Sequence, residues 1–222
     1  MKKRLPLFFL LILSLWAADF WQAKPYTEWN DKETQRMLNS SPWAREAEIP
    51  MGGGAPGAGA PEGGRGRGGP AGDAPIPGPS AVNVVVRWQT ALPVKQALAR
   101  VKFGKEVANS ADAKTFLDQQ ETSYTIGVIG IPAMMMAAPP EQLKNMLKNR
   151  TTLSVKGKGM LAPSEVQIMP NNTMVDVYFS FPRAAALTLD DKEVEFSSRI
   201  GFSAVTTKFR LKDMVLNGKL EL

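Results

Sequence analysis

The sequence predicts an α+β domain, an antiparallel sheet with a few short helices on one face, preceded by a disordered Gly/Pro-rich linker. Helix signals fall before Arg150, whereas from there to Leu222 the apolar residues recur with period two. Residues 50–81, in contrast, are dominated by Gly and Pro and contain no aromatic residue. The predicted organisation is therefore a leader at 1–17, a Trp-rich helical arm at 18–49, a linker at 50–81 and the α+β domain at 82–222.

Lys2, Lys3 and Arg4 precede an uncharged run containing Phe8, Phe9, Leu10, Leu11, Ile12 and Leu13, followed by Ala17 and Ala18. Positive charge, apolar run and small-residue exit are the three parts of a secretory signal peptide. The apolar run is about 14 residues long, against the roughly 20 that a membrane-spanning helix needs. Cleavage is expected, although Leu15 or Trp16 would stand three residues before the cut. An uncleaved N-terminal anchor is the alternative.

Trp21, Trp29 and Trp43, with Phe20 and Tyr26, crowd the arm. Asn30 with Glu33 predicts a capping box opening a helix toward Leu38, and Ser41-Pro42 predicts the start of a second helical turn. Aromatics at this density need a surface, either the arm's own domain or a docking partner reached through the three tryptophans. In the linker, Gly maximises backbone freedom and Pro removes donors, which predicts a disordered tether. GGGAPG from Gly52 and GRGRGG from Gly64 fit GxGxxG, but neither follows a strand nor opens a helix, so no nucleotide site is expected.

Val82, Val84, Val85, Val86 and Trp88 predict a buried strand, and Pro93 with Ala97, Leu98 and Val101 a helix stopped at Gly104. Ser110 is a cap for a helix carrying Phe116 and Leu117. Tyr124 to Ile131 reads as a strand ending at Pro132, and Pro139-Pro140-Glu141 starts a helix with Leu143, Met146 and Leu147 inward. Beyond it, Leu153 and Val155, Val166 and Ile168, Val175 to Phe181, Val194 to Phe202, and Phe209 and Leu211 mark alternating apolar faces. Asn217-Gly218 predicts a closing hairpin.

The block DFWQAKPYTEWNDKETQRMLNSSPWAR at 19–45, with VRWQTALPVKQAL at 86–98 and KFRLKDMVLNGKLEL at 208–222, resembles uncharacterised exported proteins of acidobacterial type. The resemblance implies export and a bacterial source; it implies no activity.

The chain has no Cys and no His. That removes disulfides, a Cys nucleophile, the usual zinc ligands and a His general base. A secreted chain without disulfides fits a bacterial exported protein. Of the formal +6 charge, Lys2, Lys3 and Arg4 supply half, leaving 24 basic against 21 acidic residues. No nucleic-acid partner is expected from so small an excess. Ser-x-x-Lys and the phosphate-binding GxxxxGK[ST] are both missing from the sequence.

Three features remain as candidates. Asp190, Asp191, Glu193 and Glu195 could supply a glycosidase acid and base or hold Ca²⁺, although the alternation of Glu193 and Glu195 with Val194 and Phe196 is that of a strand's wet face. Lys144, Lys148, Arg150, Lys156 and Lys158 could meet an anionic surface such as phospholipid or a cell-wall polymer, or form an ordinary solvated face. Met134-Met135-Met136 offers soft thioethers that suit Cu(I), a docking loop or core packing.

No cofactor is expected. The chain reads as an exported non-enzymatic binding or structural module, its partner an envelope protein or anionic envelope component. The alternatives are a carboxylate-dependent hydrolase centred on Asp190, Asp191 and Glu193, and a peripheral envelope protein with an uncleaved anchor.

Overall fold

The computed structural model describes residues 19–51, 81–183, 186–201 and 203–222. The expectations for the leader, for the linker between 52 and 80 and for Phe202 lie outside the described residues.

The fold is α+β, with every strand pairing antiparallel. The first segment contains helix α1 (Phe20–Ala23) and helix α2 (Asp31–Asn39). Asn30 accepts from the Glu33 amide and Glu33 accepts from the Asn30 amide, both at 2.9 Å, so the capping box forms as the sequence predicts. Lys24, 2.7 Å from Glu33, and the Asn30 amide hold the Glu33 carboxyl below its ordinary pKa.

Ser41-Pro42 does not start a helix. Ser41 and Ala44 exchange backbone hydrogen bonds across a turn, and the chain continues as strand β1 (Ala44–Pro50). Its sequence, AREAEIP, is rich in helix-forming residues; the strand exists because it pairs along its length with β2 (Ala81–Trp88).

Helix α3 (Leu92–Phe103) has Pro93 in its first turn and ends at Gly104, whose φ of 55° suits a residue without Cβ. Helix α4 (Ala111–Asp118) is capped by Ser110, which accepts from the Ala113 amide. Strand β3 (Ser123–Pro132) carries a bulge between Val128 and Ile131, where Gly130 has a φ of 85°. Helix α5 (Pro140–Asn149) buries Leu143 and Leu147. Strands β4 (Thr151–Val155), β5 (Gly159–Leu161), β6 (Glu165–Asn171), β7 (Met174–Pro182), β8 (Glu193–Ile200) and β9 (Ser203–Arg210) follow. Asn217 and Gly218, both at positive φ, turn the final hairpin of β10 (Val215–Leu216) and β11 (Lys219–Leu220).

Period two fixes which face of each strand is apolar but not which sheet it joins. The strands divide between a five-stranded sheet, ordered β1-β2-β3-β7-β6, and a four-stranded sheet, ordered β5-β4-β8-β9. Their apolar faces meet: Trp88 lies edge-on to Phe209 at 5.6 Å between ring centroids, and Phe179 packs on Phe196 at 5.5 Å.

The N-terminal segment belongs to this same core. Trp21, Trp29 and Trp43 are 6%, 1% and 0% exposed, so their rings are unavailable for the partner docking considered from sequence. Phe20 lies edge-on to Trp21 and Trp29, and Trp21 edge-on to Trp43. The Trp43 indole donates to the Glu221 carbonyl at 2.8 Å, and Gln22 donates to the Val215 carbonyl. The arm is thus pinned to the closing hairpin.

Trp43→Ala should cost about 3–5 kcal/mol of stability, whereas Asn30→Ala should cost about 1 kcal/mol. Denaturant unfolding of the two variants would test the ranking; equal, small losses would mean that the segment does not belong to the cooperative core.

Candidate functional site

Three residues of the acidic cluster are held by lysines, and Asp190 is exposed and in no ion pair among the described residues. Asp191 ends a 3₁₀ turn (Leu189–Asp191) and accepts from the Thr188 amide at 2.7 Å and from Lys158 Nζ at 2.8 Å. Its side chain is only 6% exposed. Burial alone would raise the Asp191 pKa, but the hydrogen bonds from Lys158 and the Thr188 amide outweigh it and hold the carboxyl below its ordinary value. Glu193 and Glu195 lie on the wetter face of β8, where both contact Lys208 on β9, at 3.2 and 3.5 Å. They raise the Lys208 pKa. Asp191, stabilised in its ionised form, is a poor proton donor.

Of the five candidate basic residues, three are committed within the chain. Lys144 pairs with Glu141 at 3.0 Å, Lys148 donates to the Ser164 carbonyl at 2.7 Å, and Lys158 bonds Asp191 and the Ala186 carbonyl. Arg150 and Lys156 are exposed and in no ion pair among the described residues. The methionine run splits as well: in a 3₁₀ turn (Ala133–Met136), Met136 is buried, Met135 packs against the core and Met134 is 74% exposed.

Two charged groups that sequence reasoning passed over are more deeply placed. Arg87 is 7% exposed on the face of β2 opposite Val86, donating to Gln89 Oε1 at 3.0 Å and to the Leu38 carbonyl at 3.3 Å. Burial lowers its pKa, with Tyr178 and Asp176 opposing. Tyr178 is itself raised, by burial first and then by Asp176, and a Cβ on neighbouring Gly127 would come within 3.1 Å of its ring. Asp176 accepts from the Gly130 amide at the bulge. These contacts secure the sheet.

The other is Lys95, in the first turns of α3 and 4% exposed. Its ammonium lies 2.7 Å from Glu121 Oε1, 3.0 Å from the Gln119 carbonyl and 5.4 Å from the centre of the Phe116 ring. No sequence signal announces this, because the carboxylate is 26 residues away. Lys95 lines a cleft of about 500 Å³ between the end of α4 and the closing hairpin. On the same cleft, the Arg183 guanidinium lies 4.4 Å from the centre of the Tyr124 ring and donates to the Ser123 and Leu222 main-chain oxygens. Tyr124 Oη accepts from the Leu187 amide. Lysine, glutamate and arginine are thereby oriented by protein contacts alone, which is how a polar recognition site is preorganised.

Among the described residues, no group of three or more Asp or Glu side chains is arranged to hold a metal ion, and no helix is long and apolar enough to cross a membrane. Comparison with protein-family models, with curated proteins and with solved structures gives no match.

Replacing Asp191 by Asn should cost about 1.5–3 kcal/mol at pH 7, the range for hydrogen bonds to a charged group. Because the folded pKa is depressed, the wild-type contribution is intact above the unfolded value of about 3.9 and lost as pH falls through the folded value. Chemical unfolding at pH 7 and in strong acid would measure this. A gap between wild type and Asp191→Asn that stays constant into strong acid would rule out the ionised carboxylate as its source.

Proposed function

We propose that this chain is an exported, non-enzymatic binding or structural module of bacterial type, and that its ligand site is the cleft lined by Lys95, Glu121 and Arg183. The observation that carries the binding role is the convergence of a buried lysine and a ring-stacked arginine on one concave surface. Both cations are fixed before any ligand arrives, so less ordering entropy opposes association. The Arg183 N–H groups not spent on Ser123 and Leu222, with Glu121 as an acceptor, suit a small polar ligand presenting carboxylate or carbonyl oxygens, while Lys95 fixes Glu121.

Export rests on the sequence of residues 2–17 and on the resemblance to exported acidobacterial-type proteins. A hydrolase centred on Asp190, Asp191 and Glu193 has weaker support, since Asp191 is tied to Lys158, and Glu193 shares Lys208 with Glu195.

Amide NMR of the isotope-labelled protein, titrated with short peptides and oligosaccharides from an envelope digest, should show shifts centred on Gln119–Glu121 and Lys219–Leu222. Arg183→Gln should weaken that response about tenfold, as expected for loss of a charge-assisted contact. Shifts confined to other surfaces would remove the cleft from consideration. For export, intact-mass measurement of protein from a periplasmic fraction should give a chain starting at residue 18 or 19 if the leader is cut, or at Met1 if it is kept; recovery solely from cytoplasm would end the proposal.

A further inference from the structure

A second concave surface carries the opposite charge balance to the acidic cluster. It has a volume of about 570 Å³ and draws Arg36 from α2, Arg45 from β1, Arg210 from the end of β9 and Lys212 just beyond it. Two carboxylates, Asp19 and Asp213, share it. Arg210 meets Asp213 at 2.8 Å, while Arg36 stands 3.9 Å from Asp19 with both side chains more than half exposed. Arg45 and Lys212 are in no ion pair among the described residues. The Arg36 guanidinium also lies 5.9 Å from the ring centres of Phe20 and Trp21, which limits where it can point.

The location of this surface gives it meaning. Asp19, on its rim, directly follows the uncharged run that ends in Ala17-Ala18. A chain whose first 18 residues sit in a bilayer would present Asp19 within a few ångströms of the headgroups, since each residue spans at most about 3.6 Å. Four cations against two anions would then face the membrane at close range, where each cation contributes favourably to contact with an anionic leaflet.

We propose that the surface formed by Arg36, Arg45, Arg210 and Lys212 docks on the phosphates of anionic phospholipids and orients the folded domain against the membrane that residues 1–18 enter. This rests on the leader being retained as an uncleaved anchor, the alternative to its cleavage, and not on the Lys95–Arg183 cleft, which is lined by different residues. The cations come from α2, β1, the end of β9 and the 3₁₀ turn after it, so the surface exists only in the folded chain.

The test is partitioning of the full chain onto vesicles of phosphatidylcholine alone and of phosphatidylcholine with about one-third phosphatidylglycerol. The leader, with Lys2, Lys3 and Arg4, contributes equally in wild type and variant, so the change in the ratio of the two partition coefficients on substituting the four cations isolates the charged surface. Wild type should prefer the anionic vesicles by about tenfold at low salt, and the preference should fall as salt rises. Arg36→Gln, Arg45→Gln, Arg210→Gln and Lys212→Gln combined should lower the ratio at least about threefold, leaving the share due to the leader's cations. The combination Lys102→Gln, Lys105→Gln and Lys114→Gln, exposed residues that do not line this surface, should change it less than about twofold. An undiminished ratio in the fourfold variant, or a ratio near unity in wild type, overturns the proposal. So does a wild type whose amide resonances around Arg45 and Lys212 respond to inorganic phosphate but not to the anionic vesicles.

Discussion

Trp43 ties the first part of the folded chain to the last, and the rest of the packing is organised around that tie. Its indole N–H reaches the Glu221 carbonyl, its own carbonyl accepts from the Trp88 amide, and its ring meets Trp21 edge-on. A chain without Cys or His can make neither a disulfide nor the usual zinc site. Buried tryptophans supply the constraint instead. Each removes some 150–250 Å² from water, worth about 4–6 kcal/mol as an upper bound. That compares with the roughly 2–4 kcal/mol typical of a disulfide. Density in tryptophan and lack of cysteine are thus two aspects of one solution to stability.

The same core decides what its polar groups can do. Thr151 and Ser198 occupy inward positions between the sheets and satisfy one another at 2.8 Å, while Thr151 also donates to the Leu147 carbonyl. Lys95, Arg87 and Asp191 each reach partners that offset the loss of water. The Trp88 indole nitrogen and Thr207 Oγ1 are buried polar atoms with no hydrogen-bond partner among the described residues. The first belongs to the ring that packs on Phe209, and both carry a desolvation cost. Charges fixed in this way suit recognition better than proton transfer, which needs a group able to change state near neutral pH.

Local signals were readable in the sequence, and long-range pairings were not. The Asn30–Glu33 box, Gly104 at the end of α3, the Ser110 cap and the Asn217-Gly218 turn all act within a few residues, and all occur where the sequence places them. AREAEIP gives no local reason to be a strand; its partners lie some 30 to 40 residues later, in β2. The division into two sheets escaped for the same reason, because alternation specifies a face and not a neighbour. In the candidate cleft, Arg183 stacks on a tyrosine 59 positions away, and Lys95 gains its meaning from Glu121. The acidic and basic clusters stood out in sequence because their members are close together there; the fold pairs three of the four acids with lysines but only two of the five basic residues with carboxylates.

Sheet edges bear on how such a domain could recognise anything. An open edge strand invites main-chain pairing with a partner. Here β1 and β9, an edge of each sheet, approach one another, and the Ser203 hydroxyl bonds the Pro50 carbonyl between them. Of the remaining edges, β5 is only three residues long, and β6 contains Pro170 and packs against α5. Strand addition therefore has little to work with among the described residues. What the surface offers instead is side chains in concavities, with Lys95 and Arg183 on one and Arg36, Arg45, Arg210 and Lys212 on another. The recognition proposed for these clefts would consequently depend on charge and hydrogen-bond geometry, so it should weaken with salt and respond to single substitutions there.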